Sequence, residues 1–104
     1  MKIIYISLPI SGHEDTYEQR LDEAVDYVKE VYTEYEWIIT PKEIAERLKD
    51  MRPMKPTYKE YLLADTEAIA HCDAIFMCRG WNDSDGCFAE WAFADAIGLT
   101  ILYQ

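Results

Sequence analysis

The sequence has few cysteines and no long apolar run, and each shortage excludes a class of protein. Its three cysteines, Cys72, Cys78 and Cys87, are odd in number and lack CxxC spacing, so neither a disulfide framework nor a zinc site is expected. We expect these thiols to be reduced and mostly buried. No apolar stretch approaches the roughly 18 residues of a membrane span. Residues 1–8 contain one lysine and lead directly into polar sequence, which does not fit a signal peptide. We therefore expect a cytoplasmic protein without a membrane partner.

Basic residues are also scarce. Ten Lys and Arg stand against twenty Asp and Glu, which leaves a net charge of −10 on 104 residues. A surface this acidic repels phosphate backbones, so a nucleic-acid polymer is a poor partner, although a locally positive pocket could still bind a small anion. Half of the residues (50%) are hydrophobic and 29% are charged, a globular balance. With no repeat, low-complexity tract or linker in it, the sequence predicts one domain over residues 1–104.

Apolar periodicity predicts strands alternating with helices along the whole chain. Hydroxyl residues followed three positions later by Gln or Glu predict capping boxes at Thr16, Thr40 and Thr57. The continuous apolar run at 74–78 is typical of a central parallel strand covered on both faces. The strands are expected at 2–8, 37–40, 74–78 and 100–103, and the helices at 17–35, 41–50, 57–72 and 86–97.

This order predicts an α/β fold, a flavodoxin-like or Rossmann-like three-layer sandwich. Right-handed crossovers place four parallel strands in the order 2-1-3-4 with helices on both faces. The order reverses between the first and third strands, and ligands bind beyond the carboxyl ends of strands at such a point. The loops at 7–15 and 79–85 meet there, so the function is expected in them.

Several residues near these loops could carry chemistry. Glu90 lies in the first turns of an almost entirely apolar helix, where it is either buried beside the positive end of the helix dipole or reaches solvent. Asp65 lies in the middle of a helix, where most aspartates are surface residues. The segment from Trp81 to Gly86 ends at a helix N-terminus, with Ser84 or Asp85 as the cap. That end is either an anion site or an ordinary helix cap.

Three motifs together resemble the nucleoside 2-deoxyribosyltransferase-like superfamily, especially its short bacterial and phage branch. They are Tyr5-Ile-Ser-Leu-Pro-Ile-Ser-Gly12, the Cys72-Asp73-Ala-Ile-Phe strand, and Gly80-Trp-x-x-Ser84-x-Gly-x-x-x-Glu90. They span nearly the whole chain in the family's order. Members of the family cleave the N-glycosidic bond of nucleosides or nucleotides and pass the sugar to another base or to water. The resemblance implies no metal and no organic cofactor.

The resemblance also implies roles for single residues. Glu90 matches the family nucleophile, Asp65 the aspartate that handles the proton on the leaving base, and Tyr5 the tyrosine that orients the glutamate. Ser84 stands where nucleotide hydrolases carry serine and nucleoside transferases carry an acid, which favours a 5′-monophosphate substrate. Leu8 replaces a glycine that is usual in the first loop. The remaining residues implied to bind substrate are Ser7, Pro9, Ile10, Ser11, Gly12, Arg79, Trp81 and Gly86.

Two other classes of function stay open. A catalytically silent nucleotide-binding module would share the fold and the anion site, and a flavodoxin-like interaction protein would use the aromatic helix. A receiver-type signalling domain is disfavoured because no acidic pair follows the first strand. The apolar helix at 86–97 and the long helix at 17–35 further predict a homodimer or larger homo-oligomer.

Overall fold

The structure is a computed structural model that describes residues 1–10, 12–51 and 53–104. In these residues four strands and four α-helices follow the order β-α-β-α-α-β-α-β, and a short 3₁₀ turn at Trp81–Asp83 precedes the last helix. The strands are β1 (Ile3–Ser7), β2 (Trp37–Ile39), β3 (Ala74–Met77) and β4 (Thr100–Tyr103), and the helices are α1 (Tyr17–Val31), α2 (Pro41–Asp50), α3 (Tyr58–Ala70) and α4 (Asp85–Ala96).

The four strands form one parallel sheet in the order β2-β1-β3-β4, which confirms the predicted fold class and strand order. From β1 the chain crosses to β2 at one edge of the sheet. From β2 it crosses back over β1 to β3 and then continues to β4 at the other edge. Right-handed crossovers therefore put α1 on one face of the sheet and the other three helices on the opposite face. The central strands β1 and β3 pair from Ile4 with Ala74 to Ser7 with Met77.

Two apolar clusters hold the helices to the sheet, because successive strand residues point to opposite faces. On the α1 face, Ile4, Ile6 and Phe76 pack with Leu21 and Val28. The cluster on the other face is formed by Tyr5, Ile75, Met77, Ile44, Ile69, Cys87 and Ala94. All three cysteines are buried and unpaired, as the sequence predicts.

The helix boundaries differ from the sequence prediction at several points. The helix α1 ends at Val31, whereas the apolar stripe predicts a helix to residue 35. Tyr32 leaves the helical conformation at ψ 67°, and the backbone N–H of Glu36 then donates to the Lys2 carbonyl at 2.9 Å. The chain turns here in order to enter the sheet beside β1. Tyr32 and Tyr35 still pack against the core from outside the helix.

The predicted capping boxes are confirmed only in part. Thr57 and Glu60 form a complete box, with bonds of 2.9 and 3.3 Å, and Thr40 caps α2 at 3.3 Å. The box predicted at Thr16 is wrong, because its hydroxyl donates to the His13 carbonyl at 3.3 Å and makes no cap bond. The backbone of Thr16 has a ψ of 1°, not the extended value of a capping residue, so its hydroxyl cannot reach the helix N–H groups. Ser84, not Asp85, caps α4.

Candidate active site

The candidate site lies where the two central strands end. Ser7 closes β1, and its carbonyl accepts a hydrogen bond of 3.0 Å from the Cys78 N–H just beyond β3. The loops that follow these strands start at this edge of the sheet, and α4 begins a few residues after β3. Polar side chains that come from opposite ends of the chain therefore meet at one place, as expected for a switch point.

A buried glutamate stands at the centre of this site. Glu90 lies in the second turn of α4 and is only 4% exposed. The Tyr5 hydroxyl donates to Oε2 at 3.0 Å, and the Ser7 hydroxyl donates to Oε1 at 2.7 Å. Tyr5 and Ser7 are two residues apart on β1, so both side chains point to the α4 face of the sheet. The proximity that the switch-point geometry predicts is thus observed, and of the two alternatives for Glu90 the structure has the buried one.

Asp65 of α3 is the second carboxyl group of the site. Its side chain is hydrogen-bonded to Glu90 and lies half-buried on the wall of the cleft. Burial, then the negative charge of Glu90 and the hydrogen bond to it, raise the pKa of Asp65 to about 8. Asp65 therefore keeps its proton to a higher pH than an exposed aspartate does.

Opposing effects act on the pKa of Glu90. Burial raises its pKa, while the hydrogen bonds from Ser7, Asp65 and Tyr5 favour the ionised form and act against that rise. Burial and the charge of Glu90 raise the pKa of the Tyr5 phenol well above its usual range, so the phenol stays a neutral donor. The pKa of Glu90 nevertheless remains above its usual range, so the two neighbouring carboxyl groups together keep a proton that two separate, exposed carboxyl groups would release.

Both carboxyl groups line a cleft of about 540 Å³. The α4 side is formed by the turn and first helical residues from Asp83 to Cys87, and Leu8 and Ile10 contribute from the loop after β1. On the opposite side stand one face of α2 and one face of α3. Those two faces carry Pro41, Ala45 and Lys49, and Tyr58, Tyr61, Leu62 and Asp65.

The remaining residues implied by the family resemblance are distributed unevenly. Ile10, Ser84 and Gly86 line the cleft, and the Ser84 hydroxyl accepts the Cys87 N–H at 3.3 Å as the helix cap. Pro9 is buried beside the cleft and Gly12 lies exposed at a φ of +82°. Ser11, the other residue predicted in this loop, lies outside the described residues.

Two of the predicted binding residues lie outside the cleft lining. The backbone of Arg79, just after β3, is held by the Gln104 side chain at 2.8 Å and by Arg20 at 3.1 Å. Trp81 stacks on Phe88 and Trp91, with ring centroids 6.3 and 5.4 Å apart. Within the described residues, neither side chain is part of the cleft lining.

Sequence reasoning missed the wall formed by α2 and α3. Its members recur at helical spacing, every four residues on α2 and at 58, 61, 62 and 65 on α3. The periodicity was available in the sequence, but it is equally typical of residues packed in a core. Only the packing of α2 and α3 against each other around an open cleft separates the two interpretations. Leu8, which replaces the family glycine, also lines the cleft and is 4% exposed.

In the part of the chain that the structure describes, no helix is long and apolar enough to cross a membrane.

Comparison with solved structures finds the same fold in an enzyme. The chain is similar to a 2-desoxiribosyltransferase from Leishmania mexicana, with a TM-score of 0.66 and 20% sequence identity. The match covers 99% of this chain and 63% of that one, so this chain spans less than two thirds of the enzyme's length. At this identity the likeness establishes the Rossmann-like fold. A search of curated protein sequences finds no match.

The sequence profile of one family, described as a domain of unknown function (DUF4406), matches residues 2–103. Because the match takes in all four strands and the four helices between them, the chain belongs to the DUF4406 family.

Proposed function

We propose that this protein cleaves the N-glycosidic bond of a nucleoside or nucleotide and passes the sugar to water or to a second base. One observation carries the proposal. The buried Glu90 side chain, held through both oxygens by Tyr5 and Ser7, contacts Asp65, a second carboxyl group of raised pKa at the wall of a cleft. A nucleophile and an acid of this kind are what glycosidic cleavage requires.

In the first step, a carboxylate oxygen of Glu90 attacks the anomeric carbon of the sugar. The bond from that carbon to the base nitrogen breaks, and its electron pair leaves with the base. Asp65 delivers its proton to the base, so that a neutral leaving group departs. The products of this step are a glycosyl ester on Glu90, an ionised Asp65 and the free base.

In the second step, Asp65 takes a proton from water or from an acceptor base. The oxygen or nitrogen so activated attacks the anomeric carbon, and the ester bond to Glu90 breaks. Glu90 recovers its charge and Asp65 its proton. The raised pKa of Asp65 suits both steps, since a group with a pKa of about 8 can give and take a proton near neutral pH.

Tyr5 and Ser7 have positioning roles in this scheme. Their two bonds fix the rotation of the Glu90 carboxylate, which is itself almost fully buried. They also stabilise the carboxylate when it departs from the sugar, because hydrogen bonds from neutral donors favour the ionised form. Neither hydroxyl has to transfer its proton.

The finer part of the proposal is a 5′-monophosphate substrate. Ser84 and Gly86 place a hydroxyl and the first N–H groups of α4 at the cleft wall, where they favour a negative group. Asp83 and Asp85 also line this end of the cleft, but both are exposed, so solvent screens their repulsion. Ser84→Asp should therefore slow the cleavage of monophosphates more than that of nucleosides.

The test of the activity is a panel of nucleosides and 5′-monophosphates, read by chromatography for released base. Glu90→Gln keeps the shape of the side chain and should lower kcat/KM by several orders of magnitude, roughly the loss seen when a catalytic nucleophile is removed. Glu67→Gln, an exposed position on α3, is the matched control and should keep wild-type activity. If Glu90→Gln released base as fast as wild type, the binding-module alternative would replace the proposal.

We also propose that two copies associate through the α4–β4 side of the molecule. Four aromatic residues, Trp81, Phe88, Trp91 and Tyr103, form one continuous ring cluster there, and Phe88 is 50% exposed. The strand β4 is an edge of the sheet. A second copy would cover this apolar surface. Sedimentation should give a dimer that Phe88→Glu dissociates, and a monomeric wild type at tens of micromolar would contradict this assembly.

A further inference from the structure

The cleft has one side to which the proposed reaction assigns no role. The α2 stripe formed by Pro41, Ala45 and Lys49 faces this side, because residues four apart share one face of a helix. Tyr61 and Leu62 of α3 line the same space. Apart from the ammonium group of Lys49 and the phenol hydroxyl of Tyr61, these side chains present only apolar atoms.

The position of α3 fixes which part of a substrate reaches this side. A Cβ atom added at Gly86 would lie 3.3 Å from the Tyr58 hydroxyl, so the Tyr58 side chain at the start of α3 reaches the first turn of α4. Farther along, Asp65 contacts Glu90. A sugar placed between Ser84 and Glu90 therefore occupies the α4 side. The group that leaves its anomeric carbon must occupy the space along α2.

The residues along α2 suit a flat, uncharged ring. Pro41 is buried, Ala45 and Leu62 are half-buried, and Tyr61 adds an aromatic side chain to the cleft lining. Stacking of a base on such a ring contributes favourably whatever the identity of the base. The small side chain at Ala45 leaves the width that a planar group needs.

A basic side chain stands at the end of this space. Among the described residues that line the cleft, Lys49 is the only basic one, against Asp65, Asp83, Asp85 and Glu90. An ammonium group donates hydrogen bonds and accepts none. It therefore binds a carbonyl oxygen on the edge of a base and disfavours an amino group in the same position.

We propose that the leaving group is a nucleobase that carries a carbonyl oxygen on the edge remote from the sugar. Its ring lies between the α2 stripe and Tyr61, and the carbonyl oxygen accepts a hydrogen bond from Lys49. This inference rests on the proposed function and identifies the class of base for the same site.

Two pairs of substrates test the inference, each with the same sugar and phosphorylation state. Hypoxanthine differs from adenine, and uracil from cytosine, by a carbonyl oxygen in place of an amino group and by a proton on the neighbouring ring nitrogen, so the Lys49 variants identify which part of the preference comes from the carbonyl oxygen. Wild type should favour the carbonyl member by roughly ten- to a hundredfold in kcat/KM, the ratio that a hydrogen bond to a charged donor gives. Lys49→Met should bring the ratio close to one by slowing the carbonyl member, and Lys49→Arg should keep most of it.

The matched control is Lys42→Met on the same helix, since Lys42 is paired with Glu18 at 2.7 Å. This variant should leave the ratio unchanged. A wild-type ratio near one, or a ratio unaffected by Lys49→Met, overturns the inference. If Glu90→Gln abolishes base release in the same assays, the proposed function survives that result. If Glu90→Gln releases base normally, the proposed function is what fails, and the inference falls with it.

A second variant tests the space itself. Ala45→Leu fills the gap beside Tyr61 and should lower kcat/KM at least tenfold more for purines than for pyrimidines, because the larger ring needs more width. Ala70→Leu, at the exposed end of α3, is its control and should have no such effect. Equal losses on purines and pyrimidines would place the base elsewhere and overturn the inference.

Discussion

The bond between Tyr5 and Glu90 gives the sharpest test of how the site is held. Tyr5→Phe removes only the hydroxyl, and because the ring is fully buried the phenylalanine fills the same volume without a cavity. The loss is a hydrogen bond of 3.0 Å to a carboxylate that is 4% exposed. A bond of this kind to a charged partner contributes about 1.5–3 kcal/mol. We expect the free energy of unfolding at neutral pH to fall by about that amount.

The assay is urea unfolding of Tyr5→Phe, Glu90→Gln and the double variant. In the Glu90→Gln background the tyrosine bonds to a neutral amide, so removing its hydroxyl should cost only about 0.5–1.5 kcal/mol. The difference between the two backgrounds measures the charge-assisted part of the bond. The exposed residue Tyr27 supplies the control, since Tyr27→Phe should change stability by less than about 0.5 kcal/mol. Identical costs in both backgrounds would refute an ionised Glu90 held by Tyr5.

Four further predictions concern Asp65, Ser84 and the helix caps. Burial and Glu90 raise the pKa of Asp65 to about 8 in the folded state, so the folded protein binds an extra proton and its stability falls as pH rises from about 4 to about 8. Asp65→Asn should flatten that fall in unfolding titrations. The same proton makes wild-type base release decline above pH 8, and a rate that stays level to pH 10 would exclude Asp65 as the acid. Ser84→Asp should lower kcat/KM for a 5′-monophosphate at least tenfold more than for its nucleoside, and equal losses would reduce Ser84 to a helix cap. Thr57→Ala should cost about 1 kcal/mol by removing a helix cap whereas Thr16→Ala should cost almost nothing, which thermal unfolding would distinguish.

The sequence predicts the fold well because its separate patterns indicate the same order of strands and helices. The apolar run of β3 and the alternation of strands with helices leave few topologies once right-handed crossovers are required. The end of α1 was less predictable, since Tyr32 and Tyr35 continue the apolar stripe although they pack from outside the helix. An apolar stripe indicates which side chains are buried, and a buried side chain need not lie on a helix.

The sequence likewise predicts one part of the candidate site and misses another. Glu90 with Tyr5 and Ser7 follows from the switch-point geometry, because strand ends and a helix start must meet there. The position of Arg79 outside the cleft lining and the cleft wall of α2 do not follow from it. They depend on how loops and helices pack in three dimensions, and a lysine at position 49 has the same helical periodicity whether it faces a cleft or the solvent.

The hydrogen bonds of Glu90 join residues 85 and 83 positions apart in the chain. Neither bond can form until β1 has paired with β3 and α4 has docked, and such distant contacts in parallel sheets form slowly. Before that point Glu90 can remain in water at no cost, whereas afterwards it is enclosed and needs both hydroxyls. The nucleophile of the proposed reaction is therefore assembled only in the final, fully connected state of the chain. Partly folded molecules would not contain a partly active site, and recovery of activity after dilution from urea would report complete folding.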